Sequence, residues 1–155
     1  MRTIQGVGVS AGIAIGTVRV LAAVDYAVER RVIDDPQAEM DRFRAARDTA
    51  VAQLKQLRDN VAAEFGENKA ELFDAHRLML QDPDYAECVE GLIAQDKVNA
   101  EFAVKSVAEQ FAAMFAAMDS STMQARAADV KDVSRRVMNV LQGKRDSTAQ
   151  DGSVQ

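Results

Sequence analysis

The chain has 155 residues, 48% hydrophobic and 28% charged, with a net charge of −5; this fits one globular domain, or one plus part of another. The single Cys88 excludes a disulfide scaffold, and Cys88 with the single His76 nearly excludes a Cys/His metal site. No apolar run reaches the roughly 20 residues of a bilayer span, no signal peptide opens the chain, and the acidic balance argues against nucleic acid; a cytoplasmic protein without membrane contact is expected.

Four of the eight glycines, Gly6, Gly8, Gly12 and Gly16, fall within the first 16 residues. Between and behind them stand Ile4, Val7, Ile13, Ile15, Val18 and Val20 in partial alternation. The pattern predicts a short two-stranded β fragment at 1–22, turning at Ser10–Gly12. A lone hairpin of this size is marginal in water, and its uncovered edges predict weak self-association through the strands.

From Asp34 to Gln142 only Pro36, Pro83, Gly66 and Gly91 interrupt an alanine-rich, helix-favouring composition. Asp35 before Pro36 reads as a cap followed by a first-turn proline. Met40, Phe43, Ala50, Leu54, Leu57 and Val61 then recur at helical spacing, predicting a helix over about 36–63 that Gly66 ends. The next helix carries Leu72, Phe73, His76, Met79 and Leu80 and breaks at Asp82-Pro83, because a residue before proline leaves helical geometry. It resumes with Tyr85, Cys88, Val89, Leu92 and Ile93. Asn99 is placed to cap a helix with the apolar face Val104, Val107, Phe111, Met114, Phe115 and Met118. Ser121 to Gln124 fits a capping box for the last helix, lined by Val130, Val133, Val137, Val140 and Leu141 and stopped by Gly143. The expected fold class is mainly α. It is a four-helix bundle over 34–142 with one helix broken near Asp82-Pro83, preceded by the β fragment and followed by a disordered polar tail at 143–155.

Charge is concentrated. Residues 64–96 hold nine acids, Glu64, Glu67, Glu71, Asp74, Asp82, Asp84, Glu87, Glu90 and Asp96, against Lys69 and Arg77, a net of −7. A solvated helix face is the ordinary explanation; a docking surface for a basic partner is the sharper one, with Leu78, Met79 and Tyr85 as apolar anchors inside an acidic rim. No pair of residues makes an active site, and the glycines at 6–16 lack the lysine and spacing of a phosphate loop. Cys88 and Met114, Met118 and Met138 read as core residues, and His76 as a helix-face imidazole without base or orienting group.

Particular strings carry a resemblance. Gly6-Val-Gly-Val-Ser10-Ala-Gly12-Ile-Ala-Ile-Gly16 looks like the opening of the phosphoenolpyruvate-utilising phosphotransferases. Phe65-Gly66-Glu67, Phe73-Asp74-Ala75-His76, Leu80-Gln81-Asp82 and Arg126-Ala-Ala-Asp129-Val-Lys-Asp132-Val resemble the helical insertion of enzyme I of the bacterial sugar phosphotransferase system. Order and spacing agree from about residue 4 to 142. The resemblance implies a family that moves phosphate from phosphoenolpyruvate, with magnesium, through its own histidine to the phosphocarrier protein HPr. Residues 1–22 would be a strand fragment of the phosphohistidine β/α domain and 34–142 the helical HPr-binding domain. Carried over by position, the HPr contacts are Glu67, Asn68, Glu71, Asp74, His76, Leu78, Met79, Asp82, Asp84, Tyr85 and Arg126.

The departures shape the expectation. The family's phosphorylated histidine lies in a Gly-Gly-x-x-Ser-His segment, and this sequence contains neither Gly-Gly nor Ser-His; His76 matches the docking histidine instead. Asn68 and Pro83 stand where some relatives are acidic. The chain is therefore expected to recognise HPr and transfer nothing alone, with no catalytic residue and no cofactor of its own. It would be a fragment, an engineered piece or a truncated paralogue. The rival readings are a stand-alone or competing HPr-binding protein, and one half of a complementing split enzyme.

Overall fold

A computed structural model describes residues 3, 5–7, 11–12 and 27–144. Five α-helices follow in chain order: α1 (Pro36–Phe65), α2 (Glu67–Gln81), α3 (Pro83–Asp96), α4 (Ala100–Ala116) and α5 (Ser121–Leu141). Helix α1 runs the length of the molecule, α2 and α3 together return along it, α4 climbs again and α5 descends. The mainly α expectation holds, with the broken helix resolved into two separate helices.

The β fragment is a correction. Among the described residues there is no strand, and the one β-type pairing is an isolated antiparallel bridge between Val32 and Val98. The described positions at 3, 5–7 and 11–12 form no ladder, and a strand needs a paired neighbour to exist. The rest of 1–22 lies outside the described residues, as do the self-association expected through it and the tail beyond Lys144.

Local chemistry sets the helix ends. Asp35 accepts a hydrogen bond from the Ala38 N–H at 3.1 Å, with Pro36 in the first turn, and Gly66 at φ +93° separates α1 from α2. Asp82 is extended (φ −63°, ψ 124°), as the residue before proline must be, and its Oδ1 accepts from the Asp84 N–H at 2.9 Å to start α3. At the end of α5 the Gly143 N–H donates to the Val140 carbonyl and the Lys144 N–H to the Asn139 carbonyl, with Gly143 left-handed at φ +66°. That is the glycine-stopped helix end expected there. The capping box is corrected: Ser120 caps α5 without a side-chain bond, and Gln124 Nε2 donates to the Met118 carbonyl instead.

The core is a seam of Phe43, Ala46, Ala50 and Leu54 from α1, Leu80 from α2, Tyr85, Val89 and Ile93 from α3, Val104 and Val107 from α4, and Val130, Val133 and Val137 from α5. Each large side chain so buried contributes about 1.5–3 kcal/mol. Three core expectations fail. Cys88 is exposed, one position before the buried Val89, and Met114 and Met118 turn to solvent near the end of α4 while Met138 is buried.

One end of the bundle is closed by a polar network. The Ile33 N–H donates to the Lys97 carbonyl and the Asn99 N–H to the Arg31 carbonyl. Asn99 begins α4 without a side-chain cap. Its side chain accepts from the Arg31 N–H at 2.8 Å and donates to the Glu29 carbonyl and to Glu101. Glu101, nearly fully buried, also receives a two-armed hydrogen bond from Arg42 of α1. Arg42 further donates to Glu39 and to the Leu141 carbonyl at the end of α5, and Glu39 accepts from the Ala100 N–H at 2.7 Å. Burial pushes the Glu101 carboxyl up, but the hydrogen bonds from Arg42 and the backbone outweigh it and hold the group below the ordinary value. A depressed folded-state value means the stabilisation is complete above the unfolded pKa and fades as pH falls through the folded one. Glu101→Gln is therefore expected to lower stability by about 2 kcal/mol at pH 7 and to flatten the loss of stability below about pH 4.5. Chemical denaturation across pH 3–7 reads both effects; an unchanged acid limb would refute the assignment.

Candidate docking face on the broken helix

Helix α2 presents three rows, because residues three or four apart share a face. Glu67, Glu71, Asp74 and Leu78 form the first; Asn68, Leu72, Ala75 and Met79 the second; Phe73, His76 and Leu80 the third. Burial follows the rows. Glu67, Glu71 and Asn68 are exposed, Leu78 is 69% and Leu72 50% exposed, Asp74 and Met79 are half-buried, and Leu80 is inside. The outer rows thus place an apolar strip beside a line of carboxylates. Asp82 and Asp84 continue it, exposed, at the joint between α2 and α3.

Two of the expected contact residues point inward. Tyr85 is 2% exposed, and its hydroxyl shares a 2.8 Å hydrogen bond with Ser134 Oγ of α5 while its ring meets Phe111 edge-on. Burial pushes its phenol up to about 12. His76 is 8% exposed, edge-on to Phe73, with Nε2 3.4 Å from Asp129 Oδ1 of α5 but outside hydrogen-bond geometry. It lies between α2 and α5. Arg126 is exposed on α5, one turn before Asp129.

The acidic face is partly answered from within. Arg58 of α1 donates Nε to Asp74 Oδ2 at 3.1 Å and Nη2 to the Glu67 carboxylate, and Arg77 Nη1 reaches Asp74 Oδ1 at 3.2 Å. Glu90 of α3 takes both arms of Arg44, which holds its carboxyl below the ordinary range. Among the described residues Glu71, Asp82, Asp84 and Glu87 make no ion pair. Sequence reasoning missed Leu72 and Arg58: the row spacing of α2 includes Leu72, whereas nothing in sequence pairs Arg58 with Glu67 and Asp74. The described residues hold no group of three His, Cys, Asp or Glu side chains able to bind a metal, and none of their helices is long and apolar enough to cross a membrane.

The model of the PEP-utilising enzyme N-terminal family matches residues 5–126, well over half of the chain. The chain belongs to this family. It is 41% identical over 143 residues to the phosphoenolpyruvate-protein phosphotransferase of Bacillus subtilis, covering 92% of this chain and 25% of that protein. With the same enzyme of Listeria monocytogenes it shares 37% over 142 residues, with the same coverage. Among solved structures it is similar to the solution structure of enzyme I (nEIt), with a TM-score of 0.75, 29% identity, and coverage of 81% of this chain and 52% of that one. It is also similar to the N-terminal domain of Enzyme 1 - Nitrogen, with a TM-score of 0.71, 26% identity, and coverage of 76% and 49%. The resemblance to enzyme I read from the sequence is that of the family the chain belongs to. The chain spans a quarter of the length of these curated relatives.

The inward and outward residues of this PEP-utilising N-terminal unit separate by experiment. Tyr85→Phe removes a buried hydrogen bond and should cost about 1–2 kcal/mol. Leu78→Ala, at an exposed site, should stay within about 0.5 kcal/mol of the parent. Equal losses in thermal unfolding would contradict the placement of the two side chains.

Proposed function

We propose that residues 34–142 are the HPr-recognition unit of a phosphoenolpyruvate-protein phosphotransferase, with 1–22 a part of its β/α unit. The observation that carries this is the outer double row of α2, where Glu67, Glu71 and the half-buried Asp74 flank the exposed Leu72 and Leu78 and the half-buried Met79. Apolar anchors within a charged rim are the anatomy of a specific interface, and complementary charge sets its on-rate and orientation. Asp82 and Asp84 extend the rim at the joint, Asn68 adds a neutral polar contact, and Arg126 supplies a cation from α5.

The unit contributes position and not bond-making. Phosphoryl transfer needs donor, phosphorus and acceptor in line, and holding two reactants so replaces a bimolecular encounter. A docked HPr would present its acceptor to a histidine that this sequence does not contain, since its single histidine is His76. His76 is no substitute, being buried against Phe73 and Asp129. Tyr85 acts as a core strut beneath the joint. Magnesium and phosphoenolpyruvate chemistry is assigned in this reading to the longer family members, of which the chain covers a quarter.

The test is an NMR titration of the isotope-labelled chain with unphosphorylated HPr at two salt concentrations. Shifts should map to the outer rows of α2, to Asp82 and Asp84, and to Arg126, and should weaken with salt. Leu78→Ala should lower affinity about tenfold without lowering the melting temperature, as truncating a central anchor does. No shift at millimolar HPr would overturn the proposal.

A further inference from the structure

We infer that Arg58 is a specificity-determining residue of the docking face, an internal cation that occupies Glu67 and Asp74 until a cation of the partner replaces it. The inference rests on the docking reading above. Arg58 stands on α1, with its side chain 25% exposed. Its guanidinium donates to Asp74 at 3.1 Å and to Glu67, so two acids of one row share one cation. Glu71 lies between them in the row and has no ion pair among the described residues.

Arg58 can influence docking in two opposite ways. As a fork it orients two carboxylates; as a charge it cancels the field a basic partner feels. Glu67 is 69% exposed on its side chain, and exposed ion pairs do little to hold their members in place. A unit positive charge in contact with two docking acids, by contrast, acts on every encounter and on the docked state. The charge effect therefore wins, and Arg58 weakens docking. Exchange of one cation for another also keeps the acids solvated or paired throughout, so the partner leaves without exposing an unpaired charge. A carrier that must dock, receive its cargo and depart is served by that weakness.

The design uses HPr as the probe and compares three variants. Arg58→Gln frees Glu67 and leaves Asp74 only its contact with Arg77; it should bind about 3–10-fold tighter at low salt, with a steeper loss of affinity as salt rises. Arg58→Lys keeps the charge and should stay within about twofold of the parent. Arg44→Gln makes the same change in net charge about 20 Å away along α1, where it frees Glu90, and should also stay within about twofold. Should Arg58→Gln melt early, Arg58→Met keeps the packing of the stem and takes its place. Unchanged or weaker binding by the neutral variant would mean that Arg58 orients the acids, which overturns the inference. An equal gain from Arg44→Gln would assign the effect to net charge and overturn it too. If the unaltered chain fails to bind HPr, the docking reading itself falls and the inference with it; binding by the parent without a gain at Arg58 sinks the inference alone.

Discussion

Glu101 is a carboxylate taken out of water at the closed end of the bundle, and the rest of the architecture is arranged around the need to satisfy it. A buried ion without partners costs several kcal/mol, so its lone pairs must be filled by groups held in place. Arg42 comes from the second turn of α1 and Asn99 from the turn before α4. Arg42 also reaches the last carbonyl of α5, and Asn99 the backbone of Glu29 and Arg31. The segment leading into α1, the starts of α1 and α4 and the end of α5 are therefore brought to one corner. An apolar cluster of equal volume would stabilise as well, but it would not fix four chain segments in one mutual register. Directional bonds do that.

With that end fixed, the break at Asp82-Pro83 decides what the other half of the molecule presents. A continuous helix of the combined length of α2 and α3 would carry its three-row pattern unchanged to the end. The extended Asp82 restarts the helix instead, and Tyr85 enters the core in the first turn of α3 against Ser134 and Phe111. The joint thereby exposes Asp82 and Asp84 while burying the ring behind them. The same local rule, that proline forces its predecessor out of helical geometry, produces both the core strut and the acidic edge of the face.

Much of this was legible in the residues. Asp35-Pro36, Asp82-Pro83 and Gly143 are boundary signals whose physics is local, and each marks a real helix end. The acids of 64–96 are local too, since composition alone concentrates them. The orientation of His76 and Tyr85 was also present, in the spacing of Phe73, His76 and Leu80 and of Tyr85, Val89 and Ile93, but carrying contacts over by position assigned both to the surface. What could not be read is pairing across helices. Asn99 looks like a cap and is a clamp on the incoming segment; Arg58 sits nine residues before Glu67 and sixteen before Asp74, yet one guanidinium meets both. Such contacts depend on the packing of α1 against α2, which no periodicity encodes. As for the β fragment, the few described positions before residue 27 form no strand, and the alternating residues 13–20 lie outside the described residues.

The two ends of the bundle use opposite electrostatic strategies. At the closed end a charge is buried, its partners are fixed, and the group is held ionised by hydrogen bonds that outweigh its burial. On α2 the charges are exposed or half-buried and their internal partners are two arginines, Arg58 and Arg77. Burial makes an ion pair specific and hard to dissolve, because removing one partner strands the other in low dielectric. Exposure makes a pair weak and exchangeable, because water and incoming cations compete for it. A unit whose task is to hold one orientation while repeatedly admitting and releasing a carrier needs both kinds. The physical reason the same residue types serve both ends is therefore depth. Arg42 and Arg58 each donate hydrogen bonds to two acids, but Arg42 reaches one that is nearly fully buried, whereas the acids of Arg58 remain within reach of a partner.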